Sequence, residues 1–414
     1  MRTLISFAAL FLSVALLQLS SGGVGPLDAL VGLEKGFSRG EIGLLGSGHF
    51  VGFFVGCWWA PRLMGSVGHS RGFATFTALG AIGLLGHTMS DQPLVWALLR
   101  IASGLCIAGC YTVVESWLQA KVTNETRGRT MGSYRVVDLG ASMVAQLMIG
   151  LLAGVETYLA YNTLAVLACA ALLPLTLTRI PQPMTPEAPR LRPALAWERS
   201  PLAVVGVVVA ALTAASFRMV GPLYGLEVGL SPGQVGLFLA AWVGGGALAQ
   251  YPVGWAADRF NRRQVLMGLS LAAMASCALT VPLPAFGTIG IMAAALIFGI
   301  TTFPVFSVAA AHAHDFASDE ERVELSAALM FWYAVGAITA PWVSSSLIDL
   351  FGPNALFGFI ALGHLSLVLY TIGRMRARSV PEARTPYVYA PRTSFTIGRL
   401  LGRNRNRDGE SGQP

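Results

Sequence analysis

Twelve apolar runs, each near the length that crosses a bilayer core of roughly 30 Å, divide this 414-residue chain almost from end to end. They lie near residues 4–27, 40–60, 72–90, 93–117, 131–153 and 157–178. After a polar gap six more follow, near 202–224, 234–256, 264–285, 288–311, 325–349 and 354–373. Hydrocarbon offers the backbone no water to bond, so such runs specify helices that satisfy their own hydrogen bonds. Only 12% of the residues are charged, against about a quarter in soluble domains. Arg2 before an apolar stretch resembles a secretory signal, but the run is longer than a usual signal core. It ends in Gly25-Pro26 rather than a small-x-small site, and reads as the first membrane helix.

Basic residues set the expected threading. Of 28 lysines and arginines, only Lys35 and Arg39 fall in loops that lie outside if both termini are cytoplasmic, while Arg100, Arg135 and Arg218 lie within apolar runs. The remaining 23 occupy the termini, the inner loops and the linker, the positive-inside pattern for cytoplasmic termini. The arginine-rich tail from Met375 suits either anionic lipid head groups or a solvated extension. All five cysteines lie in apolar runs and read as small packing residues.

The chain repeats itself. Gly36-Phe37-Ser38-Arg39-Gly40 and Gly229-Leu230-Ser231-Pro232-Gly233 both fit the G-x-S-x-G pattern of a hydrolase nucleophile, and stand 193 residues apart. "VGPL" precedes each, at 24–27 and 220–223, and the same offset of 193 carries residues 61–71 onto 254–264. Two nucleophile elbows in one enzyme are rare, and an elbow follows a strand; here an apolar helical run precedes each. Glu41 and Gln234 stand three residues beyond the serines, so each reads as a capping box that starts a helix, with Pro232 at the favoured first helical position. The expected organisation is a six-helix bundle over 1–178, a cytoplasmic linker over 179–200, a second bundle over 201–374 and a basic cytoplasmic tail over 375–414.

Three motifs add a resemblance. Gly254-x-x-x-Asp258-Arg259-x-x-Arg262-Arg263 resembles the G-x-x-x-D-R-x-G-R-R inner-loop signature of the major facilitator superfamily, with Asn261 in place of a glycine. The matching first-half loop keeps only Gly68 and Arg71. Arg100-x-x-x-Gly104 resembles the family's R-x-x-Q-G element, with Ser103 for the glutamine. Glu115 with Arg127-Gly128-Arg129 resembles its cytoplasmic E...R-G-R element. "YTVVES...RGR" before a glycine-rich fifth helix is similar to the bacterial branch called YcaD-like. The resemblance covers residues 1 to about 375. It implies an all-α integral membrane protein of twelve transmembrane helices in two pseudo-repeated six-helix bundles, working as a monomer in a bacterial-type inner membrane. It associates Arg100 with proton coupling. The fifth helix lacks the Gly-Pro motif of drug/proton antiporters, which argues against a standard multidrug exporter.

Ionisable residues at membrane depth are expensive and mark functional sites. Arg100, Gly104, Ile107, Tyr111 and Glu115 have the spacing of one stripe on helix four, and Arg135, Asp138, Ser142 and Gln146 make another on helix five. Gln18, Ser21, His49, Arg218 and Gln250 are further candidates. The substrate and coupling set is therefore Arg100, Asp138, Arg135, Tyr111, Gln18, His49, Arg218 and Gln250. The inner-gate set is Gly254, Asp258, Arg259, Arg262, Arg263, Glu115, Arg127 and Arg129. The plainer alternative makes Arg135 with Asp138, and Glu115 with Arg127 or Arg129, neutralising pairs that hold the gate. Arg218, near the outer end of helix seven, could simply reach toward water.

His312 to Asp315, "HAHD", offers too few ligands for a metal and reads as a solvated loop. Neither Lys35 nor Lys121, the only lysines, lies in a phosphate-binding loop. The expectation is a secondary transporter that moves a small organic solute with protons, without catalytic residues, metal, cofactor or nucleic-acid partner. An uncoupled facilitator, a sensor built on a transporter fold and a membrane-embedded serine enzyme are the competing readings.

Overall fold

The computed structural model describes residues 2–122, 127–177, 190–318, 320–377 and 387, and those residues form helices and turns with no strand among them. The first half comprises α1 (Arg2–Ser21), α2 (Val24–Glu34), α3 (Arg39–Val67), α4 (His69–Gly86), α5 (Pro93–Lys121), α6 (Arg127–Leu147), α7 (Ile149–Leu152), α8 (Thr157–Ala170) and α9 (Leu173–Thr176). A short α10 (Pro193–Arg199) lies in the linker region. The second half comprises α11 (Pro201–Glu227), α12 (Pro232–Arg259), α13 (Arg262–Leu279), α14 (Gly287–Thr302), α15 (Val305–His314), α16 (Arg322–Phe351) and α17 (Ala355–Ala377).

Paired end to end, these helices make twelve crossings in two six-helix bundles. Eleven are long and apolar enough to span a membrane among the described residues; the twelfth is α13, which opens on Arg262-Arg263 and is therefore less apolar. The first crossing is broken at Gly22-Gly23 and continues to Glu34, seven residues beyond the apolar run. Gln146 Nε2 donates to the Gly22 carbonyl at 2.9 Å at that break, as a backbone group at membrane depth requires. Pro304 interrupts the tenth crossing between α14 and α15, since it lacks the N–H that would continue the helix.

Ser38 and Ser231 are both N-caps in complete capping boxes with Glu41 and Gln234. The serine expectation therefore holds in its structural form. The turns before them pass through Gly36 (φ +82°) and Gly229 (φ +86°), left-handed conformations that glycine adopts at no steric cost.

Each bundle contains a backbone-close helix crossing, and the two crossings repeat. A Cβ on Gly52 of α3 would lie 1.9 Å from the Ile101 carbonyl of α5, and one on Gly245 of α12 would lie 2.1 Å from the Leu296 carbonyl of α14. Gly245 stands 193 residues after Gly52, the offset of the sequence repeat. In membranes, where hydrophobic burial does not drive helices together, close packing through small residues does so.

Between the halves, α3 packs on α16 and α6 on α12. The contact is closest at the end of the bundle away from both termini, the far face. There a Cβ on Gly43 would overlap Ser345 of α16, and one on Gly150 would lie 2.6 Å from Gly233 Cα. Arg39 bridges the same seam, reaching both Glu227 and, at 3.0 Å, Asp349. Lys35, the other basic residue of that face, pairs with Asp91 at 2.6 Å.

Candidate functional site

A cavity of about 140 Å³ lies between the halves below this seal. The first half contributes Gln18, Ser21, His49, Phe50, Phe53, Ile107, Tyr111, Asp138, Leu139 and Ser142; the second contributes Ala214, Arg218, Phe303 and Tyr333. Polar groups on α1, α3, α5, α6 and α11 thus converge on one space, with Phe303 placed by the break at Pro304.

Asp138 is the centre of the polar network. Its Oδ1 accepts from the Tyr111 hydroxyl at 2.5 Å and from Gln18 Nε2 at 3.0 Å. Arg135 Nη1 lies 3.9 Å from Oδ2, and its guanidinium also sits over the Tyr134 ring at 4.5 Å. Three of the sequence candidates on three helices therefore form one hydrogen-bonded unit at the cavity wall. Arg218 is among the residues that line the cavity.

Arg100 is placed differently from its expected position in the cavity. It is buried in the first half, with Nε 3.2 Å from Asp28 Oδ2, and both side chains are 2% exposed. Tyr161 donates to Asp28 Oδ1 at 2.7 Å, and His87 Nε2 lies 3.8 Å from Oδ2. His87 Nδ1 donates to the Gly83 carbonyl at 2.7 Å, while its ring stacks on Tyr161 and meets Trp96 edge-on. Arg100 Nη2 also reaches Met219 Sδ of α11 in the second half, at 3.8 Å. Ser21 and His49 line both the main cavity and a smaller pocket that includes Arg100 and Ser103, so the two clusters share a wall.

The sequence reading missed Asp28, His87 and Tyr161. Its first apolar run stopped at Leu27, immediately before Asp28, because Gly25-Pro26 suggested an end. An acidic residue within one turn of an apolar run was the available signal.

The described residues expected at an inner gate lie at the end of the bundle that carries the termini. Arg262 is buried and donates to the Ala257 carbonyl at 3.3 Å, the Ala311 carbonyl at 3.0 Å and Asp315 at 2.6 Å, with Asp258 at 3.4 Å. Asn261 caps α13 by accepting from Arg263 N–H at 3.1 Å, which gives a physical role to the residue that replaces the signature's glycine. Arg259 lies over Trp255 at 5.0 Å. Glu115 is buried and accepts from the Tyr134 hydroxyl at 3.3 Å. Arg129 is exposed, and the Arg127 side chain lies outside the described residues.

Two further placements differ from the sequence reading. Gln250 is outside the cavity, with Nε2 on the Gly246 carbonyl at 3.3 Å and Oε1 accepting from Tyr387. The "HAHD" stretch is not a solvated loop. His312 and His314 are buried in α15, and Asp315 follows as the partner of Arg262, because the motif arginine needs a buried carboxylate. No cluster able to hold a metal occurs among the described residues.

Comparison with known proteins agrees with this architecture. The sequence pattern of the Major Facilitator Superfamily matches residues 10–204 and again 202–405. An uncharacterized MFS-type transporter of Enterobacter sp. (strain 638) is 28% identical over 353 residues, covering 84% of this chain and 89% of that protein. The uncharacterized MFS-type transporter YcaD of Salmonella heidelberg (strain SL476) is 28% identical over 325 residues, or 78% and 83% of the two chains. The crystal structure of a mutant of the nucleoside transporter NupG superposes with a TM-score of 0.74 at 14% identity, covering 88% of this chain and 98% of that one. A bacterial homolog of the human lysosomal transporter Spinster, inward-facing and occupied, gives 0.67 at 15% identity, covering 96% and 97%. With twelve helical crossings in two repeated bundles, an interfacial cavity and two matches to the family pattern, the chain belongs to the major facilitator superfamily.

Proposed function

We propose that this chain is a secondary active transporter of an inner membrane, moving a small polar organic solute by alternating access and drawing on a proton gradient. The observation that carries this reading is the Gln18–Asp138–Tyr111 network on the wall of a cavity built from both halves. Binding between two bundles lets their rocking expose one site to each side in turn. With cytoplasmic termini, the far-face seal at Arg39 is the closed outer gate and the cavity belongs to an inward-accessible state.

The solute class follows from the lining. Tyr111, Gln18, Ser142 and His49 supply hydrogen bonds, Arg218 a positive charge, and Phe50, Phe53 and Tyr333 flat apolar faces. That combination suits a solute with a ring or short carbon skeleton bearing hydroxyl, amide or carboxylate groups. Asp138 in the cavity and Asp28 against Arg100 are the two carboxylates that exchange a proton during the cycle. The nucleoside transporter and the D-xylose–proton symporter share the fold at 14% and 12% identity, and fold alone does not assign a substrate.

The test begins with a thermal-shift screen of the purified protein against sugars, organic acids, amino acids and nucleosides at two pH values, since a ligand of the folded state raises the melting temperature. The hit is then followed into proteoliposomes with and without an inward proton gradient. Uptake that accelerates with the gradient, and loses that acceleration in Asp138→Asn, is the expected result. Uptake indifferent to the gradient makes the protein a facilitator, and binding without uptake makes it a sensor.

A further inference from the structure

Among the described residues, two charged side chains line the cavity, Asp138 and Arg218, and they come from opposite halves. Asp138 stands four residues before Ser142 on α6, and Arg218 four residues after Ala214 on α11. Residues four apart share a helix face, and all four line the cavity, so each half turns one charge-bearing stripe toward the other. The space is about 140 Å³, small enough that one bound solute lies near both charges.

Asp138 has room for another donor. It is 6% exposed, and a carboxylate offers about four acceptor positions. Tyr111 and Gln18 both donate to Oδ1. Oδ2 accepts no hydrogen bond among the described residues, because Arg135 Nη1 at 3.9 Å is beyond hydrogen-bond distance. A solute that excludes water from the cavity must itself supply the missing donor, since a buried carboxylate oxygen left unbonded is costly. Arg218 makes the opposite demand, for its planar guanidinium matches a carboxylate. A simple anion would carry a like charge up to Asp138, and a simple cation would carry one up to Arg218. Such repulsion is strong at short range away from bulk water.

We propose that the solute is a zwitterion of amino-acid type, with its ammonium group on Asp138 Oδ2, its carboxylate on Arg218 and its carbon skeleton against Phe50, Phe53 and Tyr333. The proposal rests on the reading of this cavity as the solute site and deepens it, but does not depend on proton coupling. A zwitterion so placed ties the first half to the second through its own two charges, which a solute of single charge does not.

Binding is read by thermal shift of the purified full chain at neutral pH. Three zwitterions are each offered beside the amine and the acid that share their skeleton: L-phenylalanine with phenethylamine and hydrocinnamate, L-leucine with isoamylamine and isocaproate, and γ-aminobutyrate with propylamine and butyrate. At least one zwitterion should raise the melting temperature at concentrations about tenfold or more below those its amine and acid require, the scale of one hydrogen bond to a charged group. Asp138→Asn should leave that zwitterion bound no more tightly than its acid, and Arg218→Gln no more tightly than its amine. An amine or acid that binds as tightly as its zwitterion, or three zwitterions without a shift at millimolar concentration, would overturn the proposal. That comparison is made in the parent and needs no variant to fold. Variants that weaken zwitterion, amine and acid equally would overturn the placement of the two ends. Zwitterion binding with uptake indifferent to a proton gradient would remove the coupling and leave this site standing, whereas proton-driven uptake of a solute with one charge or none would do the reverse.

Discussion

Replacing Asp28 by Asn tests whether the Asp28–Arg100 pair is a buried electrostatic unit. The amide has nearly the shape of the carboxylate and still accepts the Tyr161 hydroxyl, so what changes is one charge. Arg100 then remains 2% exposed, with Ser103 Oγ at 3.5 Å and Met219 Sδ at 3.8 Å, neither of which neutralises a guanidinium. Removing one partner of such a pair costs about 3–5 kcal/mol, whereas replacing both by groups of similar volume is often neutral. Asp28→Asn and Arg100→Met should therefore each melt several degrees below the parent, and the double variant close to it. The coupling in that cycle should be at least ~2 kcal/mol, well above the ~0.5 kcal/mol scatter of independent sites. Melting of the four proteins in one detergent, with uptake measured alongside, gives the answer. A double variant as unstable as the summed single variants would refute the reasoning; a stable double variant without coupled transport would assign the pair to function.

The other expectations are more local. Gly104→Ala would place a Cβ 2.0 Å from the His49 carbonyl and should cost about 1–3 kcal/mol or more by overpacking. Gly140→Ala, with nothing within 4 Å, should be neutral or stabilising by up to ~1 kcal/mol, and the two melts are compared side by side. Ser38→Ala and Ser231→Ala should each lose about 0.5–2 kcal/mol of helix stability, and the parent should not react with a serine-directed phosphonate. The Arg199 hydrogen bond holds the Glu321 carboxyl below its ordinary value of 4.5. A depressed carboxylate stabilises above its unfolded value and loses that contribution as pH falls through the folded one. The α10–α16 contact should thus persist from pH 8 to 5 and loosen only below, read as a change in Trp197 and Trp332 fluorescence that Glu321→Gln abolishes. Arg39→Ala should expose a Ser345→Cys reporter to an impermeant maleimide from the far face, since Arg39 holds Glu227 and Asp349 across that seam.

The fold was legible because a bilayer reduces it to a count of apolar runs and their repetition. The capping boxes were legible because Ser38 with Glu41 and Ser231 with Gln234 act within one turn. The cavity was partly legible: Gln18, His49, Tyr111, Asp138 and Arg218 were found by asking which polar residues an apolar helix tolerates. Helical spacing could not separate Arg100 from Tyr111, because a stripe eleven residues long runs from one environment into another. Arg100 pairs with Asp28 across 72 residues of chain and Tyr161 reaches the same carboxylate across 133, contacts fixed only when α2, α5 and α8 pack. Gln250 was misplaced for the same reason, since its partner lies 137 residues away in the tail.

The two carboxylate clusters differ in what surrounds them. Each aspartate accepts a tyrosine hydroxyl, Tyr111 for Asp138 and Tyr161 for Asp28, so each has a donor suited to its charged form. Asp138 lines the cavity between the halves, and its partners Gln18 and Arg135 lie in the same half. Asp28 faces Arg100, and Arg100 touches Met219 of the other half. Met219 is in turn wedged between first-half Gly25 and Gly46: Cβ atoms there would lie 2.7 Å from its Sδ and 2.8 Å from its Cγ. Asp28 is therefore linked through Arg100 and Met219 to the contact between the halves, while Asp138 lies on the cavity wall. Ser21, His49 and Ile107 line both spaces. The cavity and the Arg100 cluster are thus separated only by side chains that belong to both.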